Sequence, residues 1–277
     1  MPASSSRVRP RDLVARLRAA GCVFAEDEAR LIARQAHSPA EVERLVALRE
    51  SGRPLEHVLG WVGFLGSRIL LDPGVFVPRR RTELLARAAI GIVRPGDTVV
   101  DLCCGAGAVG AAIAAAVDGV RLFAADLDPA AVRCARRNLP PDTVFEGDLF
   151  EALPATLRGG VDVLVANAPY VPTEAIPLMP VEARRFEARM ALDGGGDGLD
   201  VQRRIAAEAP LWLSSHGVLL IETSGAQAGL TAGIMRDAGL KPRIVASKRL
   251  DATVVVGSLG SRGSLGSRGS LGSRGDS

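Results

Sequence analysis

The residues with the clearest chemical content close an apolar run. Val163-Leu164-Val165-Ala166 leads directly into Asn167-Ala168-Pro169-Tyr170, and Tyr170 is the only tyrosine in the chain. Together these four fit a planar NH2 group. The Asn167 side-chain oxygen can accept one of its hydrogens and the Ala168 backbone carbonyl the other. Pro169 stiffens the turn and removes a competing donor. Tyr170 offers a flat face for stacking. Accepting both hydrogens of an amide favours the state in which charge builds on its nitrogen, and orientation supplies much of the rest. The plainer reading is an ordinary strand-to-loop turn, where Asn and Pro are common.

A second cluster lies upstream. Val99-Val100-Asp101-Leu102-Cys103-Cys104-Gly105-Ala106-Gly107 ends a strand and opens a helix, with small residues that let a ligand approach the backbone. It departs from the dinucleotide fingerprint, because Asp101 stands at its head and Cys103 holds the first small position. A carboxylate there suits a cationic ligand better than a pyrophosphate, and S-adenosylmethionine carries both an ammonium and a sulfonium. Asp126 ends the next strand, where an acid can accept both ribose hydroxyls. Asp148 follows a third strand and could receive an adenine amino group while Leu149 packs on the ring. Singly, such acids are commonly solvated or cap helices. At three successive strand ends they mark the crevice where sheets of this kind bind ligands. The Asn167 loop would then aim a nitrogen lone pair at an electrophilic methyl group.

The elements that must hold these residues can be read from periodicity. Residues 10–60 read as helices. Leu13, Val14 and Leu17 recur at helical spacing before Gly21, and Ser38-Pro39-Ala40-Glu41 is a helix start with a capping box. Residues 61–81 read as a β-hairpin around Gly66-Ser67, then a turn at Asp72-Pro73-Gly74 and an extended Val75-Phe76-Val77. From residue 82 to 256 strands alternate with helices. The strands are expected at 98–102, 121–125, 143–145, 161–166, 218–222, 243–245 and 252–256, with His216-Gly217 in a turn. This is an α/β pattern with a mainly parallel sheet, whose last two strands are joined too tightly to be parallel. Residues 257–277 are GSLGSR three times and then GDS, the composition of a disordered, low-complexity tail.

Composition narrows the function. Hydrophobic residues make up 47% and charged residues 23%, which argues against a wholly disordered chain. Aromatics supply only 4%, so the core must rest on small aliphatic side chains. A formal net charge of +3 gives no support for nucleic acid as the main partner. Cys22, Cys103, Cys104 and Cys134 match neither a zinc pattern nor a disulfide framework. His37, His57 and His216 are scattered, so neither a hydrolytic nor a metal site is expected. No apolar stretch is long enough to span a bilayer, and no secretory signal opens the chain. A soluble cytoplasmic protein is the expectation.

From about residue 50 to 256 the sequence resembles the HemK/PrmC family of protein N(5)-glutamine methyltransferases. The resemblance rests on Pro54-Leu55-Glu56-His57-Val58-Leu59-Gly60, Phe76-Val77-Pro78-Arg79, Thr82-Glu83, the glycine turn, Asp126 and the Asn-Ala-Pro-Tyr loop. Phe186-Glu187, Ala191-Leu192, Asp197-Gly198-Leu199 and the strand from Gly217 to Glu222 extend it. It implies a class I S-adenosylmethionine-dependent methyltransferase fold, Rossmann-like with seven strands, preceded by a small helical domain and a hairpin linker. It implies S-adenosylmethionine as cofactor and, as acceptor, the glutamine of the Gly-Gly-Gln loop in class I peptide-chain release factors.

By that resemblance the donor would be bound by Asp101, Cys103, Gly105, Gly107, Asp126, Asp148, Leu149 and Asn167. The acceptor amide would meet Asn167, Ala168, Pro169 and Tyr170, with Phe76, Pro78, Arg79 and Thr82 lining the site from the linker. Asn167, Pro169 and Tyr170 would be the catalytic set. The chain departs from the family in three places: Ala168 for a proline, Pro78-Arg79-Arg80-Arg81-Thr82-Glu83 for Pro-Arg-Pro-Glu-Thr-Glu, and Cys103-Cys104 for glycine and a small residue. Two other readings compete. One is N-methylation of an exocyclic amine on a nucleic-acid base. The other is an inactive paralogue that keeps the fold and binds a partner.

Overall fold

The computed structural model describes residues 10–260. Four helices open it: α1 (Pro10–Ala19), α2 (Ala25–Gln35), α3 (Pro39–Glu50) and α4 (Leu55–Leu59). Ser38 caps α3 by accepting from the Glu41 N–H at 3.1 Å. Glu41 reaches back to the His37 N–H at 2.8 Å, one residue short of the Ser38 N–H that a reciprocal box would use. Leu13, Leu17, Ile32, Leu45 and Val46 form an apolar cluster particular to these helices.

The hairpin β1 (Trp61–Phe64) and β2 (Ser67–Leu70) turns at Leu65-Gly66, with Val62 opposite Ile69. Its buried residues Val62, Phe64, Ile69 and Leu71 join the core of the sheet that follows, not that of the helices. Residues 75–77, expected to be extended, form no strand, and only Gly74 bridges to Glu187. His57 is buried beneath them, its Nε2 2.8 Å from the Val75 carbonyl oxygen, and burial lowers its pKa. This is a packing role.

The remainder is α5 (Glu83–Ile90), β3 (Thr98–Leu102), α6 (Ala108–Ala116), β4 (Arg121–Asp126), α7 (Pro129–Ala135), β5 (Val144–Glu146), β6 (Val161–Ala166), α8 (Val181–Phe186), α9 (Asp200–Trp212), β7 (Leu213–Thr223), α10 (Ala228–Asp237), β8 (Lys241–Ser247) and β9 (Ala252–Ser258). The seven strands of the large sheet run in the order β5-β4-β3-β6-β7-β9-β8. β5, β4, β3, β6 and β7 are parallel, while β9 is antiparallel to both its neighbours.

Successive side chains of a strand point to opposite faces, and here both faces are apolar. Val99, Val163, Val165, Leu220 and Val254 pack on one side with α5 and α6. Val100, Leu102, Leu164, Ala166, Leu219 and Ile221 pack on the other with α9 and α10. Each such Val, Leu or Ile side chain contributes roughly 1.5–3 kcal/mol on full burial. That double cover explains why the strands read as continuous apolar runs.

Strands β4, β5, β7, β8 and β9 have boundaries that differ from expectation, and those of β7 and β9 change how the chain reads. β7 begins at Leu213, and His216-Gly217 lies inside the strand at a register shift opposite Val161 and Val163. A Cβ on Gly217 would stand 2.7 Å from the Val161 carbonyl oxygen. β9 continues to Ser258, past residue 256, and Gly257 pairs with Leu219. The rest of the expected tail, from residue 261, lies outside the described residues. Among the described residues no helix is long and apolar enough to cross a membrane.

Candidate active site

The sheet carries its acids to one edge. β3 and β4 are parallel and in register, Leu102 opposite Ala125, so Asp101 and Asp126 emerge near the same crevice. Asp101 is buried, and its Oδ2 accepts from the Gly110 N–H at 2.9 Å. Burial pushes its carboxyl up to about 7, with a smaller contribution from the Asp126 charge. Asp126 is also raised by burial, against hydrogen bonds that favour the carboxylate. Its Oδ2 accepts from the Gly105 N–H at 2.8 Å and its Oδ1 from the Asp128 N–H at 2.9 Å.

The glycine turn makes two separate demands. Gly107 caps α6 at φ +76°, and a Cβ there would lie 2.8 Å from Leu139 Cδ1. Gly107 therefore supports the turn from behind and does not face the ligand side. Cys103 has φ +54°, a left-handed conformation that costs a side-chain-bearing residue roughly 1–2 kcal/mol. Its small size is secondary to this backbone demand. Burial pushes both the Cys103 and the Cys104 thiols well up, so neither is available as a thiolate nucleophile.

A cleft of about 1040 Å3, its open mouth included, lies against these residues. Of the residues expected at the site, Phe76, Pro78, Thr82, Asp101, Cys103, Gly105, Asp126, Asp148, Leu149, Asn167 and Pro169 line it. Asp148 is engaged by Arg204 Nη2 at 2.8 Å. Asn167 follows the end of β6, and its Nδ2 donates to the Thr82 hydroxyl at 3.3 Å. That bond leaves the carbonyl pole of the amide for a donor in the cleft.

Besides Gly107, three expected site residues lie elsewhere. Arg79 does not line the cleft. Its Nη2 donates to both carboxylate oxygens of the buried Glu187, at 2.5 and 2.7 Å, and its guanidinium lies 5.0 Å from the centre of the Phe76 ring. It positions Phe76. The Ala168 side chain is buried in the core, so only its backbone can serve a ligand. Tyr170 turns away from the cleft into a second cavity, with Arg81, Glu222 and Lys248. Its Oη donates to Glu222 Oε1 at 3.4 Å.

Other residues at the site had been given no role. Leu127, Met190, Val201 and Arg204 also line the cleft. Behind the Asn167 loop, the stretch 193–199 packs backbone on backbone. Gly194 N donates to the Val171 carbonyl at 2.9 Å, and Thr173 N to that of Gly195 at 2.9 Å. Gln227 Nε2 ties the two loops together through the Tyr170 and Asp197 carbonyls, both at 3.0 Å. The glycine run 194–196 and Gly198 was the available signal of such close approach.

The arrangement can hold a cation and a ribose at Asp101 and Asp126 and present an acceptor oxygen beside them. Comparison with known proteins identifies the family. Residues 67–224 match the family model described as Methyltransferase small domain. The release factor glutamine methyltransferase of Geobacter sulfurreducens is 35% identical over 199 residues, covering 70% of this chain and 69% of that protein. A 4-amino-L-phenylalanine/4-methylamino-L-phenylalanine methyltransferase of Streptomyces pristinaespiralis is 35% identical over 210 residues, covering 73% and 71%. The crystal structure of a methyltransferase from Pyrococcus furiosus superposes with a TM-score of 0.54 at 14% identity, covering 79% of this chain and 98% of that one, and shares the fold. The chain belongs to the HemK/PrmC family of release factor glutamine methyltransferases, S-adenosylmethionine-dependent enzymes of the class I fold.

Proposed function

We infer that this chain transfers a methyl group to the side-chain amide nitrogen of a glutamine, that of the Gly-Gly-Gln loop in class I release factors, and works in the cytoplasm beside them. The single observation that carries this reading is the Asn167 amide, anchored at its NH2 by Thr82 on the wall of the cleft that Asp101 and Asp126 share.

The acids fit the expected cofactor. A buried carboxyl raised to about 7 is relieved by a neighbouring cation, which the ammonium of S-adenosylmethionine provides. Asp126 has two oxygens set by backbone N–H groups, a rigid acceptor pair for a ribose diol. When bound, this cofactor supplies an electrophilic methyl group. Asn167 Oδ1 and the Ala168 carbonyl then accept the two hydrogens of the glutamine amide and aim its lone pair. Pro169 holds the turn. No covalent intermediate on the protein is required, and the released proton passes to water.

The test is incubation of the protein with labelled S-adenosylmethionine and purified release factors, followed by mass-spectrometric mapping. One methyl on the glutamine of Gly-Gly-Gln is expected. The relative that acts on an aromatic amine favours a second arm, 4-amino-L-phenylalanine, and nucleic acid makes a third. Label confined to either of those would overturn the glutamine assignment.

A further inference from the structure

β2 belongs to a two-stranded sheet, so the backbone groups it turns away from β1 need other partners. Asn138, just past α7, supplies them at Leu70. Its Oδ1 accepts from the Leu70 N–H at 2.9 Å, and its Nδ2 donates to the Leu70 carbonyl at 2.8 Å. Nδ2 also donates to the Ala106 carbonyl at 2.8 Å. One amide therefore joins the linker to the glycine turn. Flipped, it would set an oxygen against two carbonyls and an NH2 against an N–H, so its orientation is forced.

Both ends of this bridge lead to the cleft, which Asn138 itself does not line. Ala106 lines it, and the preceding Gly105 N–H holds Asp126 at 2.8 Å. Leu70 leads through a turn, closed by the Val75 N–H donating to the Asp72 carbonyl at 3.3 Å, into Phe76, Pro78 and Thr82 of the same cleft. Leu71, Val75 and Val77 are buried along the way. Two neighbours of Asn138 also grip the linker. Cys134 Sγ lies 3.4 Å from both the Leu70 carbonyl oxygen and the Asp72 nitrogen, and Arg137 pairs with Asp72. Of the three, Asn138 is the one whose side chain also bonds to the glycine turn.

We propose that Asn138 is a positioning residue for methyl transfer, fixing the linker wall that meets the acceptor against the turn that holds the donor. Transfer requires the attacking nitrogen and the methyl carbon to be aligned. A linker free to shift against the turn misplaces one reactant relative to the other, although each keeps its own contacts. The cost then falls on the transfer step. This rests on the methyl transfer proposed above.

The test is Asn138→Asp in the full chain, with release factor as acceptor. The change keeps the shape of the side chain and replaces the donor of two hydrogen bonds with an oxygen. It should lower kcat by roughly ten- to hundredfold, more than it raises the acceptor KM. Donor affinity by calorimetry should stay within about threefold, because Asp126 still holds Gly105. Arg137→Gln, which breaks only the ion pair with Asp72, should keep the wild-type kcat. Wild-type kcat in Asn138→Asp, or an equal loss in Arg137→Gln, would overturn the proposal. Should Asn138→Asp fail to fold, Asn138→Ala, which removes the same bonds without adding a charge, is judged by the same outcomes.

A second readout needs no acceptor, so it separates this inference from the substrate assignment. Saturating S-adenosylhomocysteine should slow hydrogen exchange at the Leu70 and Leu71 N–H groups of the wild type. The slowing should exceed that at Val46, in the separate cluster of the helices, which reports the general gain in stability. In Asn138→Asp the excess should vanish. An excess that persists in the variant, or is missing from the wild type, would contradict the proposal even if the release factor proved not to be the substrate.

Discussion

Asn167 donates its side-chain NH2 to the Thr82 hydroxyl across 3.3 Å, and 85 residues of chain separate the two. The bond joins the end of β6 to the residue that precedes α5 and fixes which pole of the amide meets a ligand. Tyr170, three residues on, takes no part in that bond and instead reaches Glu222. Its contribution should therefore be indirect. Tyr170→Phe removes one donor to Glu222 and is expected to lower kcat by about tenfold at most, with donor affinity intact. Steady-state kinetics check this. A loss equal to that of Asn167→Ala would mean that Tyr170 touches the acceptor.

Asp101 links stability to pH. Its folded-state carboxyl, pushed up to about 7 by burial, binds a proton more tightly than the unfolded chain does. Its contribution to stability is therefore full below about pH 4 and lost as pH rises through 7. Asp101→Asn should flatten the fall in Tm of the cofactor-free protein between pH 5 and 8. The flattening is partial, because Glu222, also raised to about 7 by burial, contributes in the same direction. The same substitution should weaken S-adenosylmethionine binding at least about tenfold. Calorimetry reads both, and an unchanged slope with unchanged affinity contradicts the assigned role.

Cys103 should be improvable. Glycine at φ +54° relieves roughly 1–2 kcal/mol of left-handed strain against roughly 0.5–1 kcal/mol of added chain freedom. Cys103→Gly is expected to stabilise by about 0.5–1 kcal/mol and raise Tm by about 2–4 °C per kcal/mol. A lower Tm would show that the thiol's packing outweighs its backbone.

Gly198 should tolerate nothing larger. It has φ +81°, and a Cβ there would stand 2.4 Å from the Tyr170 carbonyl oxygen and 2.6 Å from Gln227 Nε2. Gly198→Ala must displace the loop that backs Asn167. It is expected to lower stability by more than about 2 kcal/mol and kcat with it. Wild-type kinetics would show that this loop does not hold the site.

Much of the fold was legible because its strands are buried on both faces. Val163 to Ala166 reads as one apolar run since Val163 and Leu164 meet different layers. The three acids were legible because strand ends carry them to one crevice. What was not legible depends on distant partners. Nothing near Arg79 announces Glu187, 108 residues away, which draws its guanidinium out of the cleft. Nothing in Asn-Ala-Pro-Tyr sets the direction of the ring after Pro169, and Glu222 decides it from another strand. Arg204 meets Asp148 only once α9 has docked. Gly217 looked like a turn because a register shift inside a strand leaves no periodic trace.

The most direct measurement compares Asn167→Ala with the wild type, taking methyl transfer to release factor and S-adenosylmethionine affinity on the same preparations. The amide grip predicts kcat reduced by at least about a hundredfold while donor affinity stays within about threefold. An alanine variant that turns over at the wild-type rate would contradict it.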